Sequence, residues 1–106
     1  MGSKQVMDRM EFILWGESIR RVSVEQGVNG QMVLVINLHS MDKQSALKVL
    51  RNSILMFRFS FEIRAIHGYN HGVVLKNAIA NELKHERIVS RVSPSWNPGE
   101  TLLQIA

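Results

Sequence analysis

Two short stretches of the chain carry the residue types that handle phosphate and protons: Ile36-Asn37-Leu38-His39 and His67-Gly68-Tyr69-Asn70-His71-Gly72. Between them they hold three of the four histidines. An imidazole has an unperturbed pKa near 6.5 and can therefore give or take a proton at neutral pH. His39 is the candidate for that role. Glycine and asparagine tolerate positive φ, so the second stretch reads as a tight turn. Where such a turn opens a helix, exposed backbone N–H groups bind phosphate readily. Tyr69 is the chain's single tyrosine and offers a flat face on which a base can stack. Lys76 follows Gly72 by one helical turn and is the best placed cation for a phosphate.

These residues need elements to bring them together. Met32 to Leu38 is a nearly continuous apolar run rich in valine, the pattern of a strand covered on both faces. Asp42 can cap the helix implied by Ala46, Leu47, Leu50, Ile54 and Phe57. Phe59 to Ile66 alternates as a strand does, and Val74, Leu75, Ala78, Ile79 and Leu83 mark a second helix. Arg87 to Val92 and Thr101 to Ile105 read as strands joined by a loop containing Pro94, Pro98 and Gly99. Before all of these, Val6, Met10, Ile13 and Leu14 fall on one side of a helix over about Gln5 to Arg20. Arg20 to Val24 has the makings of a short edge strand, and Gly27 to Gly30 reads as a turn.

The order predicts a two-layer α/β sandwich, β-α-β-α-β-β, with a four-stranded mixed sheet and an added N-terminal helix. Residues 1–31 form a helical extension and turn, and residues 32–106 the main domain. Both candidate stretches then follow strands of one parallel pair. Ligand sites lie outside the carboxyl ends of such strands. Trp96 reads first as a lid on the core, with base stacking as the alternative.

Composition sets the outer limits. The chain has 106 residues, enough for one core, and its 13 Lys and Arg against 9 Asp and Glu leave a net charge of +4,. A basic balance favours a polyanionic partner. With no cysteine, disulfides and thiolate metal sites are excluded. No acidic or thiol partner accompanies the histidines of the two stretches, so neither a metal nor another cofactor is expected. No apolar run approaches the roughly 20 residues of a membrane helix, and the first residues lack the features of a signal peptide. A cytoplasmic protein without a membrane partner is the expectation.

Val35-Ile36-Asn37-Leu38-His39-Ser40, Ser45-Ala46-Leu47, and His67-Gly68-Tyr69-Asn70 before Val74-Leu75-Lys76 together resemble the Smr (small MutS-related) domain family. The resemblance spans roughly Val33 to Ala106. It implies a fold similar to the C-terminal domain of translation initiation factor 3. It also implies binding of RNA or DNA, often with endonuclease or nicking activity, here through His39 and Asn37. His67, Gly68, Tyr69, Asn70, His71, Gly72 and Lys76 are the matching binding positions. Family members carry Leu-Asp-x-His after the first strand and Thr-Gly-x-Gly after the second. Asn37 replaces that aspartate, and a neutral amide stabilises a charged imidazole poorly; cleavage is therefore expected less than binding. The competing expectation is a non-catalytic interaction module. In that reading the N-terminal helix offers its apolar face to a second copy or to another protein, such as a ribosomal or repair partner.

Overall fold

The computed structural model describes residues 2–14, 16–69 and 72–106. The N-terminal helix α1 spans Ser3–Leu14 and buries Val6, Met10, Ile13 and Leu14. It is shorter than its apolar spacing suggests. Gly16 adopts φ +93°, a left-handed conformation open to glycine at little cost, and the chain turns away there. After a 3₁₀ turn at Ile19–Arg21, strand β1 (Val22–Gln26) pairs antiparallel with β2 (Met32–Asn37). Helix α2 covers Lys43–Met56, β3 Phe61–Ile66, α3 Val73–Asn81, β4 Ile88–Val92 and β5 Glu100–Ile105.

The sheet has five strands in the order β1-β2-β3-β5-β4, one more than the alternation predicts. The extra strand is β1, an edge strand that overlaps the one read over Arg20 to Val24 and runs on through the polar Glu25 and Gln26. Its backbone pairing with β2 supplies what propensity does not. Residues 1–31 thus contribute to the same sheet and core as the rest. β2 and β3 are parallel, β3 and β5 antiparallel, and β4 and β5 antiparallel, so the sheet is mixed and β2 is interior.

One core joins the inward residues Leu34, Ile36, Phe61, Ile63, Ala65, Leu103 and Ile105 to buried residues of all three helices. The helices therefore occupy one face, and the fold is a two-layer α/β sandwich. The apolar β2 run is not sandwiched by helices, as a doubly covered strand would be. Val33 and Val35 point to the opposite face, where they remain buried. An ion pair between Arg64 and Glu25, at 3.2 Å, spans β2 from its two neighbours. Among the described residues no helix is long and apolar enough to cross a membrane.

Candidate nucleic-acid interface

In-register parallel pairing decides where the two candidate stretches go. Asn37 lies opposite Ile66, and the Leu38 N–H donates to the Ile66 carbonyl at 2.7 Å. The strands end level, so His39 emerges beside Gly68. Contact between them is close. A Cβ on Gly68 would stand 2.8 Å from Cδ2 of His39, and Gly68 itself has φ +88°. Glycine is demanded there both by the backbone angle and by the imidazole lying over it.

The turn that carries His39 is held from three directions. Asn37 Oδ1 accepts from the His39 backbone N–H at 2.9 Å. Arg21 Nη1 donates to the carbonyls of Asn37, at 3.0 Å, and His39, at 2.8 Å. Glu17 in turn holds Arg21 Nε at 2.7 Å. Ser40 has φ +70°, uncommon without glycine, and its Oγ shares a 3.0 Å hydrogen bond with His39 Nδ1. Past this turn, Asp42 accepts from the Ser45 N–H at 3.1 Å and caps α2. The hydrogen bonds from Ser45, side chain first, hold the Asp42 carboxyl below its ordinary 3.8,.

His39 is exposed, and its Nε2 has no hydrogen-bond partner among the described residues. His67 is the reverse. Only 1% of it is exposed; Nδ1 lies 2.9 Å from the Gly68 carbonyl and Nε2 2.9 Å from Thr101 Oγ1. A carbonyl only accepts, so Nδ1 carries a proton, and in the neutral ring Nε2 accepts from the Thr101 hydroxyl. The His67 ring supports the turn from inside and presents no nitrogen to a ligand. Tyr69 is exposed. Asn70 and His71 lie outside the described residues. Gly72 precedes α3, and a Cβ on it would collide with the carbonyls of His67 and Gly68; the loop folds back on itself where only glycine fits. Lys76 is half-buried on the first turns of α3.

A third element, the loop containing Pro94, Pro98 and Gly99, completes the edge, a position that the sequence expectation does not give it. The Gly99 carbonyl accepts from both His67 N–H, at 2.9 Å, and Gly68 N–H, at 3.0 Å. Trp96, three residues earlier, is 81% exposed and is no lid on the core. The pairing of Ala65 with Thr101 brings this loop to the end of β3, a contact between positions far apart in sequence. Arg21 also escaped the sequence reading, since its carbonyl partners lie 16 and 18 residues away; its only local sign is Glu17 one helical turn before it.

A groove of about 430 Å³ lies between the His39 turn and the start of α3, lined by His39, Ser40, Asp42, Lys43, Val74 and Leu75 among others. Two grooves of similar size, about 490 and 480 Å³, flank the β1–β2 hairpin, but among the described residues no histidine lines either. Proton-transfer chemistry at neutral pH therefore points to the first groove. No protein-family model matches the chain, and no curated protein matches it.

Proposed function

We propose that this sheet edge binds RNA or DNA through phosphate contacts, with His39 as the general acid or base of a strand-cleaving reaction. The observation that carries the reading is the meeting of the two strand-end turns, with an exposed, tethered imidazole laid against a glycine. The start of α3 beside it supplies backbone N–H groups for a phosphate oxygen, and Lys76 a positive charge. The resemblance of Ile36-Asn37-Leu38-His39 and His67-Gly68-Tyr69-Asn70 to Smr motifs supports the same reading.

In phosphodiester cleavage His39 Nε2 takes a proton from the attacking hydroxyl or water, or returns one to the departing oxygen. Ser40 Oγ on Nδ1 fixes the ring's orientation, the task a carboxylate performs in hydrolytic triads. A hydroxyl orients but does not neutralise the imidazolium. Slow cleavage beside firm binding is the expected balance. The apolar face of α1, the alternative docking surface, is occupied in the chain's own core.

The test is titration with labelled single- and double-stranded oligonucleotides at increasing salt, followed by a cleavage assay. Binding that weakens steeply with salt is expected. His39→Ala should abolish any cleavage while leaving binding within a few-fold. Equal cleavage by wild type and His39→Ala, or no binding at low ionic strength, would remove the proposal.

A further inference from the structure

The groove and its imidazole say nothing by themselves about whether the bound strand is paired. The aromatic side chains do. Tyr69 is 66% exposed and Trp96 81%, and each directly neighbours a residue whose backbone is hydrogen-bonded. Gly68, next to Tyr69, donates to the Gly99 carbonyl at 3.0 Å. A Cβ on Gly99 would stand 3.4 Å from the Gly68 carbonyl carbon, so the two loops are in van der Waals contact. On the Trp96 side, the Asn97 N–H donates to the Pro94 carbonyl at 3.1 Å, and the Gly99 N–H to Asn97 Oδ1 at 3.2 Å. Tyr69 thus follows one partner of the Gly68–Gly99 junction and Trp96 precedes the other by three residues, while His39 lies over Gly68.

Large apolar rings held in water on braced loops gain most from a flat apolar surface that has lost its own stacking partners. Bases in a duplex have none to offer, because each face is covered by a neighbour and only edges and backbone are presented. Unpaired bases expose both faces, and each can stack on an aromatic ring with little regard to sequence. The neighbouring groups suit a strand rather than an apolar peptide. Further along the chain from Tyr69 come the amides at the start of α3 and the half-buried Lys76, and the chain carries a net charge of +4.

We infer that the substrate is an unpaired stretch of RNA or DNA, with bases stacked on Tyr69 and Trp96 and the intervening phosphate led past His39. The inference rests on the proposed nucleic-acid site and adds the strand state and a residue, Trp96, that selects it. Trp96 is a specificity residue here and Tyr69 its companion; neither takes part in proton transfer.

The experiment compares a single-stranded oligothymidylate of about 12 nucleotides, its RNA counterpart and a blunt hairpin duplex, with tryptophan emission and anisotropy as readouts. Single strands should quench the emission and bind at least about ten-fold more tightly than the duplex. Trp96→Leu should remove most of the quenching and weaken single-strand binding about ten-fold, leaving duplex affinity unchanged. Tyr69→Ala should act in the same direction, and Trp96→Tyr should restore most of the affinity. Phe12→Ala, at an equally exposed aromatic on α1 (79%), should do nothing. Thermal melts of the Trp96 variants should match the wild type. Binding that is equal for duplex and single strand, or indifferent to Trp96 and Tyr69, overturns this inference and leaves the nucleic-acid site standing. No binding to any of the three probes overturns both.

Discussion

His39 and His67 leave the ends of neighbouring parallel strands, each within a polar turn before a helix, yet one is exposed and the other sealed. The difference is a matter of parity. Side chains alternate across a strand. Counting along Leu34, Ile36 and Leu38, all fully buried, puts Asn37 and His39 on the side away from the core. Counting along Phe61, Ile63 and Ala65, also fully buried, carries His67 inward. One histidine is therefore free to meet a ligand, while the other spends both nitrogens on Gly68 and Thr101. Identical residues in similar local contexts divide into an exposed ring and a buried support.

The sharpest way to break that contrast is to delete each ring in turn. His67→Ala should cost about 3 kcal/mol of unfolding free energy, from lost burial and an unpaired Thr101 hydroxyl. His39→Ala should cost well under 1 kcal/mol, as exposed substitutions usually do. Chemical denaturation of the two variants side by side checks both, and equal losses would contradict the assignment. Next in size is Gly68→Ala. Its positive φ alone costs about 1–2 kcal/mol, and the new methyl must push the His39 ring aside. The ring signals of His39 should then shift by NMR while those of His67 move less.

Asn37→Asp is expected to act more weakly than its position suggests. Asn37 Oδ1 is bonded to the His39 backbone rather than to its ring, and a carboxylate can accept the same bond. The added charge should raise His39 proton affinity modestly, moving the pH profile of any cleavage upward by less than one unit; a larger move would mean that the side chain swings onto the imidazole. The smallest effect belongs to Asp42. Its carboxyl is held below the ordinary 3.8 by Ser45, so the fold favours the ionised form. The resulting stability is complete above the unfolded value near 4 and is lost as pH falls through the lower folded value. The melting-temperature gap between wild type and Asp42→Ala should accordingly close in strong acid.

Much of the architecture was legible in the residues. The β2 run, the Asp42 cap, the α2 and α3 periodicities and the meeting of the two turns all follow from local pattern plus the geometry of a parallel pair. The inward turn of His67 was legible too, by counting from Phe61, but its loop context drew attention instead. Three features depended on distant partners. The reach of β1 to Gln26, past the short edge strand legible over Arg20 to Val24, comes from its pairing with β2. Arg21 serves the His39 turn because the 3₁₀ turn at Ile19–Arg21 brings it there. Trp96 reaches the edge only through the register of β5 against β3, which places Gly99 on the His67 turn.

The β1–β2 pairing also has a bearing on colloidal behaviour. Met32-Val33-Leu34-Val35-Ile36 is apolar, β-prone and uncharged, the composition of a segment that stacks on copies of itself once its backbone is bare. In the folded chain β3 occupies one side of it and β1 the other. The strand that instead meets solvent is β1, short and bearing Ser23, Glu25 and Gln26, the kind of rim that discourages edge-to-edge pairing. The segment ahead of Met32 thus acts as a sheath. Cutting the chain at Met32 to isolate that region would leave the stickiest strand of the molecule open along its whole length, and fibrillar or amorphous precipitate is the expected product.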